Sequence, residues 1–273
     1  MSNFHENGII ILDFGSQYTQ LISRRIREQN VYSEIMSPDV SIEVIQERSP
    51  KAIILSGGPS SVYEDSSPKY DSKLFAMDIP ILGICYGLQL MAHHYNGQVE
   101  SSSHGEYGFA LINIMKSEHL FQSVSGNTQV WMSHMDRVTQ IPPGWEVMAE
   151  SSNGVVAAMG HVESKRFAAQ FHPEVIHTVE GKTILNNFLF KIAGCSPDWT
   201  AGNFIHKHVE KIREITAGKR VLVGVSGGVD SSVVAALLNK AIGEQSIAVL
   251  IDHGLMRKNE AGQCISALRD GLG

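Results

Sequence analysis

Three short segments carry residue types that fit one chemistry. Gly83-Ile84-Cys85-Tyr86-Gly87 places a thiol between an apolar run and a helix-forming stretch. The flanking glycines permit a sharp strand-to-helix turn with close backbone approach, the arrangement of a nucleophile elbow. A sulfur at a helix start meets unpaired N–H groups and the positive end of the helix dipole, and both favour thiolate. The Tyr86 N–H then faces an oxyanion formed beside the sulfur. The competing explanation is that Cys85 is one more small buried residue, as most free cysteines are.

A thiol nucleophile needs a base. Among twelve histidines, His172 is set apart by Gln170-Phe171-His172-Pro173-Glu174, directly after a predicted strand. In extended chain, residues i and i+2 point the same way, and Pro173 biases His172 toward that conformation. Glu174 can then hold one ring nitrogen while the other faces the thiol. Alone, such a turn is common at strand ends. Ser56-Gly57-Gly58-Pro59 follows another apolar run. Its glycines expose backbone N–H groups that can complete an oxyanion hole, although an ordinary glycine turn has the same composition. Together the three segments describe acyl transfer through a thioester.

A fourth segment, Ser226-Gly227-Gly228-Val229-Asp230-Ser231-Ser232, lies between a strand predicted to end at Val225 and a helix predicted to begin near Ser231. Successive N–H groups can converge there into an anion nest at a helix start. Ser226, Ser231 and Ser232 can donate hydroxyls to phosphate oxygens, and Asp230 can hold Mg²⁺. A plain glycine loop is the alternative. No G-x-x-x-x-G-K-[ST] is present, so a Walker-type site is not indicated.

These segments need elements to position them. Short apolar runs at Gly8–Asp13, Val31–Met36, Ala52–Leu55 and Ile81–Ile84 read as strands. They alternate with helices over Ser16–Gln29, Ile42–Arg48 and Tyr86–Tyr95, which implies a parallel sheet. From Phe109–Met115 through Thr128–Met132, Glu146–Ala149 and Val155–Met159 to Phe167–Phe171 the segments are short and alternating. They predict antiparallel strands packed on the parallel sheet. Gly181–Ala193 reads as a closing helix and Cys195–Asn203 as a linker. A second unit follows with helix Phe204–Thr216, strand Arg220–Val225, helix Ser231–Ile242 and strand Ser246–Asp252. The expected domains are residues 1–198 and 199–273.

Composition sets the bounds. A chain with 43% hydrophobic and 18% charged residues is globular rather than disordered. Net charge of −6 argues against a nonspecific nucleic-acid binder. The apolar stretch Pro80–Ala92 is interrupted by Gly83, Gly87 and Gln89 and is too short to span a membrane. The start, MSNFHENG, has neither a signal nor a transit pattern. Cys85, Cys195 and Cys264 are odd in number and widely spaced, which fits a reducing cytoplasm better than a disulfide framework or a zinc site.

In this order, SGGP, GICYGLQLMA and QFHPEV resemble the class I (triad) glutamine amidotransferases over about residues 8–193. Asp13–Glu28 (DFGSQYTQLISRRIRE), Val130–Val138 (VWMSHMDRV) and Phe171–Thr178 (FHPEVIHT) are similar to the GMP synthetase family within that class. The resemblance implies an α/β fold, a flavodoxin-like parallel sheet with added antiparallel strands. It makes Cys85 the nucleophile, His172 the base and Glu174 its partner. It also makes Gln89, Ser133, His134 and Asp136 positions that help hold glutamine. One run departs from the family: Arg-Glu usually precedes its aromatic-Gly pair, and here the run is His104-Gly105-Glu106-Tyr107-Gly108.

The Ser226–Ser232 loop resembles the N-type ATP pyrophosphatases, and Ile251–Glu260 again is similar to the GMP synthetase family. This implies an incomplete α/β adenine-nucleotide hydrolase-like unit after the glutaminase. The implied scheme is that ATP adenylates the xanthine oxygen of XMP, glutamine hydrolysis supplies ammonia, and ammonia displaces AMP to give GMP. ATP and Mg²⁺ are then co-substrate and ion, with no prosthetic group, and the full-length enzyme is expected to be a homodimer. Only about one βαβ unit of the pyrophosphatase fold is expected after the linker, so the 273 residues are expected to hydrolyse glutamine without making GMP. Two other readings stay open at this point. One is a non-catalytic or regulatory glutamine-binding module. The other is a different triad amidotransferase, such as the glutaminase of CTP or anthranilate synthesis, against which DFGSQYTQ and SGGVDSS argue.

Overall fold

Four short runs form the centre of the sheet because both of its faces are covered. β1 (Ile9–Leu12), β3 (Ala52–Leu55), β4 (Ile81–Ile84) and β9 (Arg166–Ala169) are buried at every residue, as parallel strands under helices must be. With β2 (Ser33–Met36) they pair in parallel in the order β2-β1-β3-β4-β9. α1 (Thr19–Arg27) and α2 (Ile42–Arg48) make the β1-to-β2 and β2-to-β3 crossovers, and α3 (Tyr86–His94) follows β4. Helix α1 buries Ile22 and Ile26 and turns Arg24, Arg25 and Arg27 outward in its last turn, where cations suit the helix dipole.

Alternate strand residues feed two cores. Ile9, Ile11, Ile54, Leu82 and Ile84 pack with Ile22, Ile26 and Phe188 on one face. Ile10, Leu12, Ile53, Leu55 and Ile81 pack with Ile45, Leu88 and Met91 on the other. Each fully buried aliphatic side chain contributes about 1.5–3 kcal/mol. The carboxyl ends of β1, β3, β4 and β9 are thereby fixed along one rim of the sheet.

The antiparallel segments do not pack on the sheet as a second layer. β8 (Val156–His161), β7 (Glu146–Ser151), β5 (Gln98–Ile114) and β6 (Asn127–Gln140) extend it edge to edge, giving one nine-stranded sheet. The free edge of β9 pairs with β8, Ala158 opposite Ala169 and Met159 opposite Ala168, and so takes up hydrogen bonds that would otherwise be open. β5 and β6 are far longer than the apolar alternation indicated. The closing helix is α4 (Gly181–Asn186), continued by a π-helical turn over Asn187–Ile192. There Asn187 Nδ2 donates to the carbonyls of Leu120 and Gln122.

This computed structural model describes residues 4–252 and 254–272. Residues 1–3 of the N-terminal segment, position 253 of the Ile251–Glu260 stretch and the side chain of His104 lie outside the described set. The chain divides into two compact units, Met1–Trp199 and Thr200–Gly273. The second contains α5 (Ala201–Thr216), β10 (Val221–Val225), α6 (Val229–Ile242), β11 (Ser246–Leu250) and α7 (Glu260–Leu272). Thr200 caps α5 by accepting from the Asn203 N–H at 3.2 Å. β10 and β11 form a parallel pair. Helix α6 begins before Ser231, so Val229–Ser232 are its first turn rather than loop. Helix α7 was not foreseen. Among the described residues, no helix is long and apolar enough to cross a membrane.

Candidate active site

Cys85 occupies the hinge between β4 and α3. Its backbone is strained, with φ 54° and ψ −105°, while its N–H donates to the Ala169 carbonyl at 2.7 Å. The flanking glycines are required by crowding. A Cβ on Gly83 would stand 2.5 Å from the Gly87 carbonyl oxygen, and one on Gly87 would stand 2.5 Å from that of Leu55. The Cys85 sulfur sits at the start of α3, 3.6 Å from the Ser133 carbonyl oxygen. Tyr86 follows as the first helical residue, its ring buried against Phe14.

His172 and Glu174 lie beyond the end of β9. The ring Nδ1 is 2.7 Å from Glu174 Oε1, and both side chains are buried. Burial alone would strip the imidazolium of its proton. The Glu174 carboxylate and the Cys85 sulfur override that effect and raise the His172 pKa to about 10. The turn is pinned from outside: the His172 N–H donates to the Trp131 carbonyl at 3.0 Å, and Thr178 Oγ1 donates to the His172 carbonyl at 2.6 Å. Gly57 closes the arrangement. A Cβ there would stand 3.3 Å from His172 Cε1 and 3.4 Å from Cys85 Cβ, so its backbone lies against both groups. Gly58 is pressed onto the Phe14 carbonyl, 2.5 Å from where a Cβ would be.

A cavity of about 840 Å³ opens over these residues. Its walls come from the carboxyl ends of parallel strands, where open α/β sheets place their ligands. Gly15 to Tyr18 follow β1, Gly58 to Ser61 follow β3, Cys85 follows β4 and His172 follows β9. Gln89, Ser133, His134 and Asp136 line it as well. The structure therefore brings together the expected thiol, base, glycine pair and glutamine-contact positions of the first unit.

In the second unit, Ser226–Ser232 folds into a tight loop and helix start. Gly227 has φ +81°, a left-handed conformation natural to glycine. Ser226 and Ser231 hydroxyls lie 3.2 Å apart, Ser231 and Ser232 hydroxyls both donate to the Gly228 carbonyl, and the Ser226 hydroxyl accepts from the Gly228 N–H. The three hydroxyls thus hold the loop's own backbone. Val229 and Asp230 are exposed in the first helical turn. Among the described residues, no group of three or more His, Cys, Asp or Glu could hold a metal ion.

The family model described as glutamine amidotransferase class-I matches residues 10–192. The chain belongs to the class I glutamine amidotransferase family. A second model, described as NAD synthase, matches residues 200–271. Over 252 residues the chain is 52% identical to the GMP synthase [glutamine-hydrolyzing] of Oceanobacillus iheyensis, covering 92% of this chain and 49% of that protein. To the protein of the same name from Brachyspira hyodysenteriae it is 50% identical over 262 residues, covering 96% and 51%. The chain thus spans about half the length of the curated relatives it matches. Among solved structures, a Thermoplasma acidophilum protein described as a candidate GMP synthase subunit superposes with TM-score 0.60 at 30% identity, covering 68% of this chain and 93% of that one. A glutamine amidotransferase from Thermotoga maritima shares the fold, with TM-score 0.51 at 17% identity, covering 86% and 98%.

Sequence reasoning missed several residues around this candidate site. Tyr18 stands edge-on to the His172 ring, centroids 4.9 Å apart. Arg25 donates to the Glu174 carbonyl at 3.0 Å. Glu106, in the run that departs from the family pattern, accepts from His134, Ser151 and Asn153. No single-sequence signal marked Tyr18 or Arg25 beyond their place in Asp13–Glu28. Glu106 was visible only as the carboxylate of an unusual run.

Proposed function

We propose that this chain is the glutamine-hydrolysing portion of a longer enzyme that uses ATP to aminate XMP to GMP. The observation that carries the proposal is the buried His172, held at Nδ1 by Glu174 and set against the Cys85 sulfur at a helix start.

The chemistry follows from that placement. His172 already holds the proton of the pair, and the Cys85 sulfur adds to the carboxamide carbon of glutamine. The oxygen that becomes negative is met by the Tyr86 N–H and the glycine backbone at Gly57–Gly58. His172 then protonates the nitrogen, which leaves as ammonia, and a γ-glutamyl thioester stays on Cys85. Water adds to the thioester, His172 takes its proton, and glutamate departs with Cys85 restored. Glu174 keeps the ring oriented and supports its charge throughout. Gln89, Ser133, His134 and Asp136, which line the cavity beside Cys85, help hold the glutamine.

The proposed division is residues 1–198 for the amidotransferase domain and 199–273 for the beginning of an ATP pyrophosphatase domain. Its loop, Ser226, Gly227, Gly228, Val229, Asp230, Ser231 and Ser232, receives ATP phosphates at the start of α6. A carboxylate at an anion site repels phosphate unless a cation is present, so exposed Asp230 is the residue that would hold a Mg²⁺. That ion would neutralise charge on the departing pyrophosphate. Three reduced cysteines fit a cytoplasmic protein. A homodimer of the full-length enzyme, with no nucleic-acid partner, completes the reading.

The test uses the full-length protein and amide-¹⁵N glutamine. The label should reach the exocyclic amine of GMP, and Cys85→Ala should abolish that transfer while leaving amination by added ammonium. Label transfer that survives Cys85→Ala would overturn the proposal.

A further inference from the structure

A buried polar relay runs through one wall of the cavity. Glu106 on β5 and His134 on β6 are directly paired across the two strands. Glu106 Oε2 is 3.2 Å from His134 Nε2, and the two side chains are only 11% and 3% exposed. Glu106 Oε1 accepts from Ser151 Oγ at 2.9 Å and from Asn153 Nδ2 at 2.7 Å, which ties it to β7 and the turn that follows. These donors, His134 first, outweigh burial and hold the Glu106 carboxyl at about 2, so it is ionised and can only accept.

The other nitrogen of His134 is also engaged. Nδ1 lies 3.0 Å from the Asp136 carbonyl oxygen. That same oxygen accepts from Gln89 Nε2 at 2.8 Å, and Gln89 Nε2 also reaches Gln170 Oε1 at 3.4 Å. Gln89 stands one helical turn after Cys85 and donates its own N–H to the Cys85 carbonyl. Its amide nitrogen is thus held by Asp136 and Gln170, and Gln89 lines the cavity. Both ring nitrogens of His134 face oxygens that cannot donate, so the ring satisfies both only by donating from both.

We propose that Glu106 is a positioning residue of the glutamine site. It holds His134 as a double donor, which fixes the Asp136 carbonyl and so aims Gln89 at the substrate. His134 then serves as a strut and leaves no ring nitrogen for the ligand. The inference rests on the proposed glutaminase reading, because the substrate it positions is glutamine.

The test combines nitrogen NMR with kinetics on the 273-residue protein. The probe is ¹⁵N-histidine, with the His134 resonances assigned through His134→Gln. In the wild type both His134 ring nitrogens should show the shifts of hydrogen-bond donors, and in Glu106→Gln Nε2 should lose that signature. KM for glutamine should rise about tenfold in Glu106→Gln with kcat within about twofold, the scale of one lost charge-assisted hydrogen bond. Glu106→Asp, which keeps the charge, should fall between. A carboxylate that merely glued the strands would lower thermal stability without moving KM or the His134 spectrum. Should Glu106→Gln not fold, Asn153→Ala removes one anchor of Glu106 from an exposed turn and must move KM in the same direction. A His134 ring nitrogen without the donor signature in the wild type, or unchanged KM in a folded variant, would overturn the inference. If the wild type releases no glutamate, the glutaminase reading fails, and the His134 spectrum still decides whether the strut exists.

Discussion

His172 Nδ1 and Glu174 Oε1 stand 2.7 Å apart across a single proline, with both side chains out of water. An acid–base pair this enclosed is governed by its immediate neighbours. Removing the ring should therefore remove most turnover. His172→Ala is expected to cost about 10²–10⁴-fold in glutamate release, the usual range for a general base. Glu174→Gln should cost less, because the amide can still hold the ring through its oxygen. Steady-state glutamate assays on both variants check the order, and near-native turnover in His172→Ala would contradict the assignment.

The same pair makes stability depend on pH. The His172 pKa is raised from 6.5 to about 10 in the folded chain. Its proton therefore stabilises the fold fully below about pH 6.5, and that contribution disappears as pH climbs through about 10. Glu174→Gln removes the charge that supports the proton. Urea denaturation should show the wild type's advantage over Glu174→Gln shrinking between pH 6.5 and 10. An advantage that grows over this interval would mean that the ring is held neutral.

The elbow makes a separate prediction about shape. A methyl at Gly87 would fall 2.5 Å from the Leu55 carbonyl oxygen and 2.9 Å from Leu55 Cβ. Neither group can retreat, since β3 is buried on both faces. Gly87→Ala should destabilise the protein by about 1–3 kcal/mol, as overpacked cores do, and should misplace Cys85. Chemical denaturation measures the first effect and thiol reactivity the second.

Sequence and structure agree best where backbone chemistry was local. The Gly-x-Cys-x-Gly run, the two glycines after β3 and the His-Pro-Glu turn each fixed a bend with few alternatives. The bounds of α2, β3 and β4 fall where the apolar runs begin and end. β5 and β6 were read short because their outer halves alternate polar and small residues. Their pairing with each other holds those halves as strand, with Val99, His134 and Val138 buried along them. The in-plane extension of the sheet depends on which edge β8 joins, a long-range choice invisible to periodicity. Glu106 was missed for the same reason: its partners are at positions 134, 151 and 153, all distant in the chain. Helix α6 was placed late because Val229 and Asp230 look like loop until the helix start claims them.

The loop of the second unit also carries a prediction. Gly227, at φ +81°, cannot take a side chain without strain of roughly 1–2 kcal/mol. In the full-length protein, Gly227→Ala should weaken ATP binding and leave basal glutamate release unchanged. Isothermal titration with ATP and a glutamate assay separate the two. Loss of both together would show that the substitution unfolds more than the loop.

The most direct measurement is mass mapping after reaction with a glutamine-like chloroketone. The three buried thiols offer an internal comparison: Cys85 lines the cavity, while the Cys195 thiol is pushed up to about 12 by its burial. Cys264 is also buried. The structure predicts a single adduct on Cys85, blocked by excess glutamine and absent in Cys85→Ala. Equal labelling of all three cysteines, or labelling of Cys85 that glutamine does not prevent, would contradict a glutamine-binding thiol at this elbow.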